Sequence, residues 1–219
     1  MFSHTPKNMS RNELYAHLHE GLCSRKEAIS CGSIPPQQID TVIRDILRDH
    51  PELCHFEGKW RYGEGTVFPQ YVLPLSAYQE TLSQARELFS GLSRGDLPLN
   101  AYIWISEHVS YDLTAEHSQN AYGALIRRCA VCKGIAKAYQ LLMRFGGIPC
   151  VLAEGTLDGI SRHVWNMICL DGRWWHVDVT MSYPLFWHLT GAADPFGGWL
   201  RTTEDISRSH AVLSRTDCK

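Results

Sequence analysis

Two apolar runs joined by an Asp-Gly dipeptide constrain the fold of this chain more than any other feature. The runs cover residues 163–170 and 174–179, and Asp171-Gly172 stands between them. Asp-Gly between two apolar segments is the strongest short-range signal of a β-hairpin, because its tight turn needs residues that tolerate positive φ. Folding about this turn brings residue 163 nearly opposite residue 180. The two strands therefore run antiparallel, in a register that decides which of their side chains can meet.

A long amphipathic helix is predicted directly before these strands. Residues 130–145 carry apolar side chains at helical spacing, and Gly146-Gly147 follows as a stop signal. The apolar run at 148–153 predicts one more strand. A helix followed by antiparallel strands is typical of an α+β fold in which the helix packs on the sheet.

The N-terminal part of the chain predicts a mainly helical extension of this core. Capping-box patterns at Ser10–Glu13 and Ser24–Glu27 each predict the start of a helix, and the second helix is expected to end near Gly32. Pro35-Pro36 suits the first turn of a third helix. Residues 53–73 carry aromatic and β-branched side chains among glycines, which indicates a β-hairpin.

A linker is predicted between two further helices in the middle of the chain. The helices are expected at residues 75–89 and 99–109, and the stretch 91–98 contains the glycines and the proline typical of a connection. We therefore expect two domains: an N-terminal helical extension with a β-hairpin at residues 1–92, and a catalytic domain at residues 93–219.

Composition and charge narrow the range of partners. The chain has 219 residues, of which 44% are apolar and 20% are charged, with a net charge of −2. Without a clustered basic face we expect no nucleic-acid partner. No apolar run approaches the roughly 20 residues of a membrane span, so we expect no membrane partner.

The N-terminal residues lack the apolar region of a secretory signal, and the eight cysteines show no repeated paired spacing. These features predict free thiols and a cytoplasmic protein.

Cys132 is the strongest candidate nucleophile, because it stands where the long helix begins. The N-terminus of a helix carries unpaired N–H groups and the positive end of the helix dipole, and both stabilise a thiolate. Such sites lower the pKa of a cysteine from about 8.5 to between roughly 3.5 and 7.5. The same N–H groups can stabilise an oxyanion. The alternative interpretation of Cys132 is a buried structural cysteine.

His163 and Asp178 supply the two other groups that thiol catalysis needs. His163 opens the first strand of the hairpin, and Asp178 ends the second strand among tryptophan and valine. A carboxylate in such apolar surroundings is costly to bury without a partner. The predicted register brings residues 178 and 180 within cross-strand reach of residue 163. We therefore predict that Asp178 orients His163, which activates Cys132.

Other polar residues have less specific interpretations. Cys129 and Cys132 form a Cys-x-x-Cys pair, for which a redox or zinc role is open, although the sequence has neither a second pair nor a thioredoxin-like pattern. His176 is interpreted as a residue of the strand face, and Asn166 either hydrogen-bonds near the site or is an ordinary polar strand residue. The backbone N–H of Cys132 is the expected main-chain donor of an oxyanion hole. Three side chains are candidates for its second donor: Tyr122, Trp104 and Asn120.

A series of motifs, in order, resembles the transglutaminase-like superfamily, including its bacterial members. Their order and spacing are specific and extend over about residues 95–190. The motifs are Val109–Asp112, Tyr122–Leu125, Val131–Ala138, Gly147–Pro149, His163–Asn166 and Gly172–Thr180. The resemblance implies a papain-like α+β core. It matches Cys132 to the nucleophile, His163 to the base and Asp178 to the orienting acid.

The resemblance and the three residues together predict a cysteine-dependent acyl-transfer enzyme. We expect a thioester intermediate formed from a peptide bond or a glutamine carboxamide of a protein or peptide substrate. Hydrolysis is favoured over cross-linking, because bacterial relatives of this size look more like peptidases than like cross-linking enzymes. No cofactor or metal is expected, since the sequence has no EF-hand pattern. The alternative is a non-catalytic transglutaminase-like scaffold that binds proteins, because a fold does not determine a function.

Overall fold

A computed structural model describes residues 9–93, 95–186 and 194–215 of the chain. Contacts between Cα atoms divide the chain into two compact units, one up to Tyr78 and one from Gln79 onward. The boundary expected between residues 92 and 93 stays a prediction. Within the described residues, no helix combines the length and the apolar character that crossing a membrane requires.

The chain alternates helices with short strands before it reaches its main sheet. The helices are α1 (Arg11–Cys23), α2 (Pro36–Asp49), α3 (Leu75–Leu92), α4 (Leu97–His108), α5 (Ala121–Leu125), α6 (Cys132–Phe145) and α7 (Thr203–Ile206). The strands are β1 (Ile29–Ser30), β2 (Phe56–Gly63), β3 (Thr66–Tyr71), β4 (Ser110–Tyr111), β5 (Cys129–Ala130), β6 (Cys150–Leu157), β7 (Ser161–Leu170), β8 (Arg173–Val177) and β9 (His210–Arg215). Two short 3₁₀ helices follow β8, at Val179–Ser182 and Pro184–Phe186.

The N-terminal unit packs α1 and α2 with a small antiparallel sheet of order β1-β3-β2. The capping box predicted at Ser10–Glu13 is present, since each residue bonds the backbone N–H of the other. The helix expected between Ser24 and Gly32 is wrong. Arg25 adopts a φ of 52°, and the N–H of Lys26 donates back to the carbonyl of α1, so this segment ends one helix instead of starting another.

The main sheet of the second unit confirms the α+β fold. Its strand order is β8-β7-β6-β9, and every neighbouring pair is antiparallel. Asp171 and Gly172 have φ values of 50° and 74°, which form the tight hairpin turn expected from the dipeptide. Leu170 pairs with Arg173, and the register runs as predicted from this turn.

Helix α6 is held on the sheet by both apolar and polar contacts. Every residue from Gly134 to Met143 is buried, so the helix lies within the core of its unit. The side-chain amide of Asn166, on β7, donates to the carbonyl of Ala136 at 3.0 Å. Tyr139 donates its hydroxyl to the carbonyl of Pro98 at 3.2 Å. These bonds attach the middle of α6 to β7 and to α4, and they set where its first turn lies.

The first turn of α6 also contacts the preceding loop too closely for any side chain at Gly134. A Cβ at Gly134 would lie 2.2 Å from the carbonyl oxygen of Ser118. That oxygen already accepts a hydrogen bond from the N–H of Val131 at 3.1 Å, so the loop has little freedom to retreat. The glycine therefore fixes the distance between the loop and the start of the helix.

We expect Gly134→Ala to lower the free energy of unfolding by about 1–3 kcal/mol, the usual cost of overpacking a closely packed position. Gly91→Ala is the matched control, because Gly91 lies in α3 with open space around its Cβ position. Its effect should be a stabilisation of about 0.4–1 kcal/mol. Urea unfolding of both variants measures the difference, and equal midpoints would contradict the assigned role of Gly134.

Candidate active site

Cys132 is the first residue of α6 and is half-buried. The N-cap residue is Val131, whose side chain has no acceptor to bond the N–H groups of the first turn. Short parallel pairing of β4 with β5 brings Ser110 and Tyr111 beside the residues that precede the helix. The thiol therefore lies at the positive end of a helix, as the sequence predicted, with backbone donors nearby.

Strand β8 ends early, and this leaves part of the β7 backbone open to Cys132. Among the described residues, β8 pairs with β7 only from Asn166 to Leu170. Beyond that pairing, the backbone of Val164 forms a hydrogen bond with the Cys132 thiol. The imidazole of His163 forms a hydrogen bond with the same sulfur. The structure thus brings the predicted nucleophile and the predicted base into direct contact.

Asp178 follows the last residue of β8 and contacts His163 diagonally across the hairpin. The Nε2 atom of His163 lies 2.7 Å from the Oδ2 atom of Asp178. His163 is only 3% exposed and Asp178 only 1%, so water does not compete for this bond. The other carboxylate oxygen, Oδ1, accepts the backbone N–H of Thr180 at 3.0 Å. Because Nε2 bonds to the carboxylate, Nδ1 is the ring nitrogen left for the sulfur of Cys132.

These contacts shift the protonation of all three groups. Burial raises the pKa of Cys132, but the hydrogen bond and charge of His163, with the Val164 backbone, bring the pKa below its ordinary value. Burial also lowers the pKa of His163, but the charge and hydrogen bond of Asp178 and the contacts with Cys132 raise it to about 10. Burial raises the pKa of Asp178, but His163 and His210 hold it far below its ordinary range. The shifts at Cys132 and His163 both favour a thiolate beside an imidazolium over the neutral pair.

The sign of each shift gives the pH range in which this state stabilises the protein. The raised pKa of His163 contributes stability below its unfolded value of about 6.5, and this contribution is lost as the pH rises through about 10. The depressed pKa of Asp178 contributes stability above its unfolded value of about 3.9, and this contribution is lost as the pH falls through the folded value. Both contributions are present together near pH 5–6, and that of Asp178 is complete at neutral pH.

Asp178 has a second imidazole partner that the sequence did not indicate. The Nε2 atom of His210, in β9, lies 3.0 Å from the same Oδ2 atom that bonds His163. His210 is buried, and it comes 32 residues after Asp178 in the chain. No local spacing connects the two residues, because β9 reaches the site only by pairing with β6.

Trp165 forms the wall against which these imidazoles pack. Its indole stacks on His163 with ring centroids 5.9 Å apart and meets His210 edge to face at 4.8 Å. The indole Nε1 atom donates to the Nδ1 atom of His176 at 2.8 Å. His176 is therefore a buried strand-face residue, as expected, and it supports Trp165.

Tyr111 lies next to Cys132, and the sequence did not indicate this contact. Its phenol forms hydrogen bonds with both the backbone and the thiol of Cys132. Burial raises the pKa of Tyr111 to about 12, and the charge of Cys132 adds to that rise, so the phenol keeps its proton as a donor. The motif Val109–Asp112 contains Tyr111, but only the pairing of β4 with β5 reveals its place beside Cys132.

The three side chains predicted as oxyanion donors make other contacts. Asn120 is the N-cap of α5, and its Oδ1 atom accepts the N–H of Gly123 at 3.2 Å. Tyr122 packs its ring on a histidine ring at 5.5 Å. Trp104 lies 4.3 Å from the guanidinium of Arg128, in a cation–π contact. Tyr111 therefore replaces them as the candidate second donor.

The cysteines of the described residues are all free thiols, whereas Cys218 lies outside those residues. Cys129 and Cys132 are among them, so the Cys-x-x-Cys pair forms no disulfide here. Cys150 is half-buried in β6 and accepts a hydrogen bond from Asn166 at 3.5 Å. Burial raises the pKa of Cys150, which is the reverse of the shift at Cys132.

Two groups of side chains in the described residues place donor atoms close enough together to hold a metal ion. The groups are His163, Asp178 and His210 in the second unit, and His19, His50 and Glu52 in the first. In the former group, an ion would displace the protons through which both imidazoles bond the carboxylate. In the latter, the two imidazole rings stack at 3.7 Å, so their in-plane lone pairs lie side by side.

Known proteins resemble the part of the chain that carries this site. Residues 92–179 match the family model described as the transglutaminase-like superfamily. Kyphoscoliosis peptidase of Mus musculus and that of Homo sapiens are each 30% identical over 95 residues, which cover 36% of this chain. The match spans only 14% of the length of these curated relatives. A solved structure described as a TGase is 12% identical and covers 56% of this chain and 43% of its own, with a TM-score of 0.44.

The site combines a thiol at a helix N-terminus with an imidazole, and a buried carboxylate is hydrogen-bonded to that imidazole. This is the arrangement of a cysteine–histidine–aspartate site. All three residues lie within the segment matched by the family model. Over residues 92–179, the chain is therefore similar to the transglutaminase-like superfamily.

We expect iodoacetamide to alkylate Cys132 about tenfold faster than an ordinary thiol at pH 6.5. An ordinary thiol is only about 1% thiolate at that pH. Complete ionisation would raise this fraction about 100-fold, and the lower nucleophilicity of a more acidic thiol would offset about tenfold of the gain. Peptide mapping by mass spectrometry measures the rate at each cysteine.

Two variants define what the labelling experiment means. His163→Gln should remove the fast phase at Cys132, because the neutral amide does not stabilise the thiolate. Cys129→Ala is the matched control: it removes a neighbouring thiol but leaves Cys132 and His163 in place, so the fast phase should remain. A rate at Cys132 no faster than that of a free thiol would disprove its activation.

Proposed function

We propose that this protein is a cysteine-dependent acyl-transfer enzyme that acts on peptide bonds or glutamine carboxamides and more often hydrolyses than cross-links. The observation that carries this proposal is the continuous line of contacts from Cys132 through His163 to the buried carboxylate of Asp178. A thiolate and an imidazolium are the nucleophile and the acid that such a reaction needs.

The first half of the proposed reaction forms a thioester. The sulfur of Cys132 attacks the carbonyl carbon, and a C–S bond forms while the carbonyl oxygen takes the negative charge. The tetrahedral species then collapses, the C–N bond breaks, and His163 gives its Nδ1 proton to the leaving amine or ammonia. Asp178 keeps the imidazole in the orientation that this transfer requires.

The second half of the reaction resolves the thioester. His163, now neutral, takes a proton from water or from an amine as that nucleophile attacks the acyl carbon. The C–S bond breaks, and Cys132 returns to its thiolate. Water gives a carboxylic acid, whereas an amine gives a new amide. The name of the curated relatives, kyphoscoliosis peptidase, supports the hydrolytic outcome.

The oxyanion of the tetrahedral species needs at least two hydrogen-bond donors. The backbone N–H of Cys132 and the phenol of Tyr111 are the proposed pair, since the two groups already contact each other beside the thiol. When a substrate carbonyl enters, its oxygen would replace this mutual contact and accept from both donors.

We expect wild-type protein to modify a library of tryptic peptides from a denatured bacterial proteome, in H₂¹⁸O with a dansylated amine present. Incorporation of ¹⁸O into new carboxyl groups reports hydrolysis, and incorporation of the dansyl group reports transfer. The proposal expects more ¹⁸O than dansyl label and the loss of both in Cys132→Ala.

The same experiment distinguishes the enzyme from the non-catalytic scaffold. Cys129→Ala, as the matched control, should leave the products unchanged. Absence of any product that depends on Cys132 would overturn the enzymatic proposal in favour of a protein-binding scaffold. Dominant dansyl incorporation would instead reverse the preference for hydrolysis.

We expect Tyr111→Phe to lower kcat by about 10²–10³-fold, the order of magnitude for loss of one oxyanion donor. Tyr183→Phe is the matched control, because the Tyr183 hydroxyl donates to the carbonyl of Val109 at 2.6 Å. Its kcat should stay within a few-fold of wild type. Steady-state kinetics on one library peptide measures both, and a kcat in Tyr111→Phe equal to that of the control would exclude Tyr111 as an oxyanion donor.

A further inference from the structure

We propose that His210 is a positioning residue of this site, which holds the Asp178 carboxylate in the orientation that serves His163. The inference rests on the proposed function, because it concerns how the same thiol site is kept ready for reaction. It assigns a role to β9, a strand outside the matched segment 92–179.

The hydrogen bonds around His210 define its tautomer and its direction. A carboxylate only accepts, so the contact of 3.0 Å with Asp178 Oδ2 requires a proton on Nε2 of His210. The Nδ1 atom lies 2.8 Å from the Oγ atom of Ser209. A neutral imidazole protonated at Nε2 can accept the Ser209 hydroxyl proton at Nδ1. Ser209 therefore keeps the donor side of His210 turned toward the carboxylate.

The architecture of the sheet makes room for this contact. Because β9 lies next to β6 and not next to β7, the His210 side chain must reach over β6. The β6 residue opposite His163 is Gly155, where a Cβ would lie 2.1 Å from the backbone oxygen of Ala211. The missing side chain lets β9 and the Trp165 ring approach β6 closely at this point, and the rings of His163 and His210 lie 5.4 Å apart between centroids.

His210 gives the Oδ2 atom of Asp178 a second hydrogen-bond donor beside His163. Oδ1 accepts the N–H of Thr180, and Oδ2 accepts from the two imidazoles. Without His210, the Oδ2 atom would keep His163 as its single side-chain partner, and only the Thr180 N–H at Oδ1 would oppose a rotation of the carboxylate together with that imidazole. The imidazole of His163 would then lose its fixed direction toward the sulfur, and small displacements of a reacting group are costly in rate.

The test compares His210→Phe, which removes the donor, with His210→Gln, which restores an N–H donor on a side chain of similar length. We expect kcat to fall about 10-fold or more in His210→Phe, the order seen when an outer hydrogen-bond partner of a functional histidine is lost. KM should stay within twofold, because His210 is buried behind Asp178 and is not expected to contact substrate. His210→Gln should recover most of the lost kcat.

Two further measurements separate positioning from a general effect on the fold. His176→Gln is the matched control, since it replaces another buried histidine of the same sheet, whose partner is Trp165. Its kcat should fall less than that of His210→Phe. Ser209→Ala leaves His210 in place but removes the hydroxyl that fixes its tautomer. This variant should lower kcat by a smaller factor than His210→Phe does. Proton NMR should show downfield Nε2–H resonances from both His163 and His210 in wild type, and the His163 resonance should shift in His210→Phe.

The outcomes distinguish this inference from the function on which it rests. If wild-type Cys132 is neither activated toward iodoacetamide nor needed for products, the proposed function itself fails. If wild type is active and folded His210→Phe keeps its kcat, only the role of His210 is overturned. If His210→Phe does not fold, Ser209→Ala decides: a kcat equal to that of wild type, with an unmoved His163 resonance, would overturn the inference.

Discussion

The hydrogen bond between His163 Nε2 and Asp178 Oδ2 is the interaction on which the site depends. A carboxylate buried to this degree is unfavourable by several kcal/mol unless charge and hydrogen bonds compensate it. Here the compensation comes from two imidazoles and one backbone N–H, on β7, β9 and the turn that follows β8. Removing one partner of such a buried pair typically costs about 3–5 kcal/mol of stability. The charge of Asp178 therefore both holds β7, β9 and this turn together and orients the imidazole of His163.

The position of the thiol follows from where the strands end. Because β8 stops at Val177, the backbone of β7 near Val164 is available, and the first turn of α6 lies against it. Asn166 attaches the middle of α6 to β7, and Gly134 allows the loop at Ser118 to approach the helix start. The interactions that hold α6 on the sheet therefore also bring the sulfur of Cys132 to His163.

Much of this arrangement was accessible from the sequence, because it depends on short-range rules. The Asp171-Gly172 turn, the two strands beside it and helix α6 were predicted from turn chemistry and periodicity, and the register of the hairpin follows from the turn itself. The helix expected after Ser24 was wrong, since a capping-box pattern has the same letters whether it starts a helix or follows the end of one. The left-handed conformation of Arg25 decides between them, and no local signal predicted it.

The sequence by itself determined the α+β class and the hairpin that places His163 and Asp178 within reach of each other, because one tight turn joins their two strands. It also placed Cys132 at the start of a strongly amphipathic helix. Only the tertiary structure decided which other groups complete the site. Tyr111 meets Cys132 because β4 pairs with β5, and His210 meets Asp178 because β9 pairs with β6 beside Gly155. Both contacts join residues more than 20 positions apart, and their geometry depends on packing and strand order, which no local pattern encodes.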